Sequence, residues 1–263
     1  MKRSNTKKSL IFIVILLITS TAKLYSAGGE AEPLKVDWSF KGITGKFDRA
    51  SLQRGFQVYK EVCSSCHSMQ YLSYRNLGEP GGPEFSEQEV KAIAASIEIT
   101  DGPDDQGEMF TRPGRPADKF KNPYPNVKAS IAANGGAYPP DMSVLVKARP
   151  GGSNYIYSVL VGYEDPPVGM TLDDGVYYNK YMIGNKIKMS SPLSDDIVEY
   201  SDGTQASVDQ MAKDVTTFLT WAAEPELEER HRTGVKVIIY LVLLTTLVYL
   251  SMKKIWSRVD TEV

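Results

Sequence analysis

The chain has 263 residues, of which 42% are hydrophobic and 24% charged, with a formal net charge of −2. That length allows one domain of ordinary size plus additional segments. The charge is unevenly spread: residues 28–229 hold 19 basic against 30 acidic groups, a net of −11, which disfavours nucleic acid or anionic lipid as the main partner of this segment and favours a basic protein or a cation.

Residues 1–27 carry the pattern of an export signal. Lys2, Arg3, Lys7 and Lys8 precede an apolar run over 10–18, and small residues follow at Ser20, Ala22, Ser26 and Ala27, the order of a cleavable leader. The run is too short to cross a bilayer, which needs about 20 residues. The exported body, residues 28–229, has no internal repeat, and one compact domain over 34–222 is the simplest division of it.

The predicted class is mostly α with long irregular loops. Helices are expected over 48–63, 86–99, 154–162 and 208–222. Between them Gly and Pro crowd into 78–83, 112–125, 135–140, 149–152 and 164–169, leaving little room for a regular sheet. In the last helix Met211, Val215, Phe218, Leu219 and Ala222 recur at the spacing of a face packed on a core. The charged stretch 224–232 reads as a solvated link. It leads into 235–252, apolar except for Lys236, Thr245, Thr246 and Ser251. At about 1.5 Å per residue this run covers about 27 Å, enough for a membrane anchor. Lys253, Lys254 and Arg258 follow it, which assigns the tail 253–263 to the cytoplasmic side and the body to the outside.

The chain's two cysteines stand in Cys63-Ser64-Ser65-Cys66-His67, just after the first expected helix. Two thiols three positions apart on one turn can each form a thioether to a haem vinyl group, and the next residue then offers its imidazole to the iron. One covalently bound haem c is therefore expected. A thioredoxin-like dithiol needs a βαβ setting that this Gly/Pro-rich sequence does not supply. Tetrahedral zinc needs four ligands, whereas the chain has two cysteines and two histidines, and the second histidine, His231, reads as a solvated residue of the link.

The body has no second histidine, and a methionine thioether is the soft sixth ligand that suits an electron carrier of high potential. The candidates are Met69, Met109, Met142, Met170, Met182, Met189 and Met211. Met69 is too near His67 to reach the opposite haem face, and Met211 belongs to the helical stripe. Met189 lies in Ile187-Lys188-Met189-Ser190-Ser191-Pro192-Leu193, an irregular stretch that can be laid across a haem edge. The alternative is that it fills a gap in the core.

On these residues the chain resembles the cytochrome c1 family, the haem subunits of ubiquinol-cytochrome c reductase. The likeness runs in chain order through the haem motif, Tyr74-Arg75-Asn76-Leu77, Gly107-Glu108-Met109-Phe110-Thr111-Arg112-Pro113-Gly114, Ala133-Asn134-Gly135-Gly136-Ala137-Tyr138-Pro139-Pro140-Asp141, residues 155–167, Ile187-Lys188-Met189 and residues 213–229 with Trp221-Ala222-Ala223-Glu224-Pro225, to the single C-terminal span. The resemblance implies that Cys63 and Cys66 carry the haem, that His67 and Met189 are its axial ligands, and that Arg112, Pro139 and Pro140 line it. Arg112 is then a candidate partner for a haem propionate, with Tyr124 a further one. It also implies single-electron relay, and the export signal and the basic tail together place the haem body on the periplasmic side of a bacterial cell membrane. Electrons would arrive from the Rieske iron-sulfur subunit, beside cytochrome b, and leave to a cytochrome c.

Two departures stand out. The family usually continues Ala-Pro-Pro after the ligand methionine, whereas here Ser190-Ser191-Pro192 follows. The chain also lacks the extra disulfide of some bacterial members. Between Glu79 and Glu108 there are nine acidic residues against one basic residue, Lys91, a run that is either a solvated face or a landing patch for a basic acceptor. A rival class, a haem enzyme with an open iron position, would need an acid-base group over that position.

Overall fold

The computed structural model describes residues 31–259, so the expected leader 1–27 lies outside the described residues. The fold is mostly helical. Helix α1, Arg49–Glu61, buries Leu52, Phe56 and Tyr59 at i, i+4 and i+7, together with Ser51, Gly55 and Val58. Its partner, α5, Val208–Ala223, starts at Ser207, whose hydroxyl accepts the Gln210 N–H, and buries Met211, Val215, Phe218, Leu219 and Trp221. The expected stripe is therefore a core face. Rings from the two helices meet with Phe56–Phe218 centroids 5.7 Å apart and Tyr59–Phe218 centroids 5.8 Å apart. Each large side chain so buried contributes about 1.5–3 kcal/mol.

The helix pair also holds one fully buried carboxylate. Asp214 accepts from Ser51 Oγ at 2.6 Å, Arg54 Nε at 2.8 Å and Gln210 Nε2 at 3.0 Å. These bonds compensate the desolvation of the charge.

Around this pair the chain adds short elements. A capping box of Ser86 and Glu89 opens α2, Glu87–Ala95. Strands β1, Glu98–Asp101, and β2, Phe110–Pro113, pair antiparallel with Ile99 opposite Arg112. Helix α3 spans Val127–Ala133 and α4 spans Ser153–Val161. The two-residue strands β3, Tyr177–Tyr178, and β4, Lys186–Ile187, form a second antiparallel pair. The segment before α1 packs on α4, with Trp38 Nε1 donating to Asn154 Oδ1 at 2.7 Å and Leu34 N to Ser158 Oγ at 2.8 Å.

Three expectations need correction. The helix expected over 86–99 stops at Ala95, because Gly114 N takes the Ile97 carbonyl at 2.8 Å and turns the chain into the β1–β2 pair. The Gly/Pro-rich stretch from 112 thus contains the end of a strand. Helix α3 was not expected, although Asn126 caps it by accepting the Ala129 N–H at 2.9 Å and the helix-favouring Ala129, Ala132 and Ala133 follow.

The third correction concerns the link. Helix α6, Leu227–Val259, begins inside the charged stretch 224–232 and is continuous through the apolar span. One face of its start is docked on the body, while Glu229, Arg230 and Arg232 are exposed as expected of a solvated link. Leu227 is buried, Glu228 receives two bonds from Arg49 at 2.7 and 2.9 Å and one from Phe47 N at 2.8 Å, and His231 Nδ1 donates to the Gly45 carbonyl at 3.1 Å. Long-range partners for Glu228 and His231 were invisible to a reading based on charge density. The helix is long and apolar enough to cross a membrane, and its side chains from Val237 to Leu244 are exposed.

Candidate haem site

Helix α1 delivers the two thiols. It ends at Glu61, and the chain tightens into a 3-10 turn, Cys63–Ser65, in which Cys66 N and His67 N both reach back to the Cys63 carbonyl at 3.2 and 2.9 Å. Ser64 Oγ and Ser65 Oγ bond back to the carbonyls of Lys60 and Val62 at 2.7 and 2.8 Å, which fixes the turn. Cys63 is buried, Cys66 half-buried, and both thiols are free. Burial, followed by the neighbouring Cys66, pushes the Cys63 thiol up to about 12. Reactive dithiols of thioredoxin type have lowered values instead.

His67 is held from the other side. Its Nδ1 lies 2.8 Å from the Pro140 carbonyl. A carbonyl only accepts, so Nδ1 carries the proton, and in the neutral ring Nε2 keeps the lone pair that a metal requires. Burial lowers the His67 pKa, against the raising effects of the Pro140 bond and Asp141, and so favours that neutral form. The segment after His67 runs alongside the segment after Pro140: Met142 N donates to Ser68 O at 2.8 Å, while Asp141 accepts from Ser68 Oγ at 2.7 Å, Gln70 N at 3.0 Å and Ser143 N at 2.9 Å. Burial works against the Asp141 charge, but the bonds from Ser143 and Ser68 keep its pKa below the ordinary carboxylate value. Asp141 was not singled out from the sequence; its position directly after Pro139-Pro140 was the available signal.

The structure brings several expected residues together. Cys63, Cys66, His67 and Met189 are close in space. Cys66, Tyr124 and Pro139 line one cavity of about 110 Å³ beside the turn, and the Tyr124 hydroxyl is 4.0 Å from Cys66 Sγ. Pro140 contributes its carbonyl, as described.

The methionines separate by burial and partner. Met69, Met142 and Met211 are buried in the core, and the Met182 sulfur accepts the Tyr155 hydroxyl at 3.2 Å. Met189, half-buried, stands two residues past β4, and its carbonyl accepts the Tyr163 hydroxyl at 3.1 Å. Tyr163 lies in the segment 155–167 that carries the family resemblance, but the sequence reading assigned it no role of its own.

Arg112 is engaged elsewhere. Its Nη1 and Nη2 donate to the two oxygens of Asp118 at 2.7 and 2.9 Å, and its Nε donates to Asp101 at 2.5 Å. Strand pairing explains the Asp101 contact, since Asp101 lies diagonally across β1–β2 from Arg112. The guanidinium holds Asp118 down at about 2. Two carboxylates thus already neutralise this cation, and a propionate would compete with them.

The donor set fits haem c: two free thiols at thioether spacing, an imidazole with its proton fixed on Nδ1, and a half-buried thioether nearby.

Comparison with known proteins identifies the family. A family model described as the Cytochrome C1 family matches residues 38–259. Cytochrome c1 of Rhodospirillum rubrum is 46% identical over 269 residues, covering 96% of this chain and 97% of that protein. A Cytochrome b/c1 of Bradyrhizobium diazoefficiens is 49% identical over 248 residues, covering 87% of this chain, which spans only 36% of that longer protein. The Cytochrome b-c1 complex catalytic subunit, mitochondrial, of Candida albicans is 50% identical over 227 residues, covering 86% of this chain and 76% of that protein. With the match extending from Trp38 through the haem motif to the membrane-length helix, the chain belongs to the cytochrome c1 family.

Proposed function

We propose that this chain binds one haem covalently through Cys63 and Cys66, with His67 and Met189 as its axial ligands, and relays single electrons within a membrane ubiquinol-cytochrome c oxidoreductase. Family membership carries the haem and the electron-transport role. The single observation that supports the site assignment is the Pro140–His67 bond, because it dedicates Nε2 to a metal within one turn of two free thiols. When bound, the haem supplies a one-electron couple whose potential the axial ligands and burial set.

The protein's own residues do the rest. The 3-10 turn spaces the thiols, Pro140 and Asp141 orient the histidine segment, and the loop after β4 brings up Met189. Tyr124, Pro139 and Pro140 contribute to the surroundings of the haem, and Arg112 is proposed as a propionate partner that would exchange one of its carboxylates. Helix α6 anchors the body, residues 28–229, on the periplasmic face of a bacterial cell membrane, with span 235–252 and a cytoplasmic tail 253–263. Residues 1–27 would act as the leader. The electron donor is proposed to be a Rieske iron-sulfur subunit assembled with cytochrome b, and the acceptor a basic cytochrome c.

Denaturing electrophoresis with a haem stain, paired with carbon monoxide binding to the reduced protein, tests this reading. Attached haem that does not bind carbon monoxide is the expected result. Haem that washes out overturns the attachment, and rapid carbon monoxide binding by the wild-type chain points to an open iron position and hence to an enzyme.

A further inference from the structure

Met189 sits in a weakly supported part of the chain. Strand β4 ends at Ile187 after two residues, and the next buried side chain is Leu193. The only proline between them is Pro192, three residues past Met189, so the backbone from 189 to 191 is not stiffened by ring closure. A thioether presented from such a loop keeps its place only if the main chain around it is tethered.

The tether on the Met189 main chain itself is Tyr163. Its hydroxyl donates to the Met189 carbonyl at 3.1 Å. Tyr163 is itself fixed at both ends of its local frame. It follows Gly162, where an added Cβ would come within 2.5 Å of Tyr181 Cδ2 and 2.7 Å of Ser158 O, so the chain leaves α4 in close contact with its surroundings. Its backbone pairs with Asn179 in an isolated bridge. Asn179 is fully buried and satisfied: Nδ2 donates to Val159 O at 2.8 Å, Oδ1 accepts Tyr181 N at 3.1 Å, and its own N–H donates to Asn185 O at 3.1 Å. Helix α4, Asn179 and the β3–β4 pair therefore form one braced support, and Tyr163 projects a donor from it onto the Met189 main chain. Lys188 Nζ, bonded to Gly135 O at 3.2 Å, ties the loop to the segment that leads to Pro139 and Pro140.

We propose that Tyr163 is a positioning residue for the sixth ligand: its hydroxyl fixes the Met189 carbonyl and thereby keeps the thioether directed at the iron. The inference rests on the reading of Met189 as ligand given above. It assigns no contact between Tyr163 and the cofactor.

The test uses the full haem-loaded chain in detergent, with two optical readouts. One is the weak long-wavelength band of methionine-ligated ferric haem, and the other is titration with imidazole, which competes with methionine for the ferric iron. Tyr163→Phe removes only the hydroxyl. Its expected result is retained haem, a weakened band and an apparent imidazole affinity raised roughly fivefold, the factor set by losing one hydrogen bond of ordinary net strength. Tyr177→Phe, at an exposed tyrosine of β3, should leave both readouts unchanged. If Tyr163→Phe accumulates poorly, 4-aminophenylalanine at 163, which keeps a donor, is compared with 4-methylphenylalanine, which fills similar space without one. Only the former should match the wild-type affinity.

Met189→Leu separates the two claims. If it loses the band and binds imidazole far more tightly while Tyr163→Phe behaves as wild type, the role of Tyr163 is overturned and the ligand stands. If Met189→Leu keeps the band, the ligand is another residue and the role of Tyr163 falls with it.

Discussion

Gly55 of α1 lies against the main chain of Asp214 in α5 so closely that a Cβ at Gly55 would stand 2.1 Å from the Asp214 carbonyl oxygen and 2.8 Å from Phe218 Cβ. Neither neighbour is the free end of a flexible side chain, so the helices would have to separate. Gly55→Ala is expected to destabilise the body by about 3 kcal/mol or more, despite alanine's better helix propensity, because overpacking outweighs the propensity gain. A melting curve of the haem-loaded protein checks this. An unchanged or higher Tm would show that the two helices adjust without loss.

Thioether bonds survive denaturation, so haem should remain on the chain after boiling in detergent. Cys63→Ala or Cys66→Ala should cut the stained fraction sharply, since each removes one of two attachment points. Equal staining of wild type and both variants would mean that haem is held in some other way.

Met189→Leu keeps an apolar side chain of similar size but removes the electron pair. Haem should stay attached, carbon monoxide binding should appear, and the reduction potential should fall. If ligation persists and is lost instead in Met182→Leu or Met170→Leu, the ligand lies elsewhere. For Met182 the Tyr155 hydroxyl on its sulfur makes that outcome unexpected.

The Arg112–Asp118 pair predicts an acid limb in stability. Arg112 lowers the Asp118 pKa from 3.8 to about 2, and Arg54, after the Thr204 backbone N–H, helps to lower Asp202 to about 2 as well. A carboxylate whose pKa falls on folding adds stability above its unfolded value and loses that contribution as pH drops through the folded value. The loss should therefore fall between about pH 4 and about pH 2. Asp118→Asn should lower Tm at pH 5 and flatten its decline over that window. A parallel decline in wild type and variant would remove this pair from the account.

The acidic run from Glu79 to Glu108 divides on inspection. Asp101 is spent on Arg112, and Asp104 Oδ1 accepts the N–H groups of Gln106 and Glu108, each at 2.9 Å, within its own turn. Asp105 and Glu108 are exposed and can be neutralised without breaking those bonds. Asp105→Asn with Glu108→Gln should slow electron transfer to a basic cytochrome c by roughly two- to fivefold at low salt and flatten its salt dependence, with the potential unchanged. Stopped-flow rates across a salt series decide it. An unaltered slope would leave these residues as a solvated face.

The parts of this protein written locally in the sequence were legible there. Thiol spacing, the adjacent histidine, the stripe of α5 and the apolar run are patterns within one turn, one helix or one span, and periodicity or covalent chemistry fixes them. The family likeness named Met189, but a loop beside one proline does not by itself distinguish a ligand from a core filler. Tertiary structure adds that Met142 is buried in the core and that the Met182 sulfur holds the Tyr155 hydroxyl, while Met170 is half-buried like Met189. It also decided which nitrogen of His67 is free, since the Pro140 carbonyl that settles this lies 73 residues away. The same holds for the Arg112–Asp101 pair, which depends on the β1–β2 register, and for Glu228, which looked solvated until Arg49 met it from 179 residues away. Such pairings depend on where the chain returns to itself, and burial and strand register set that return only when the whole body packs.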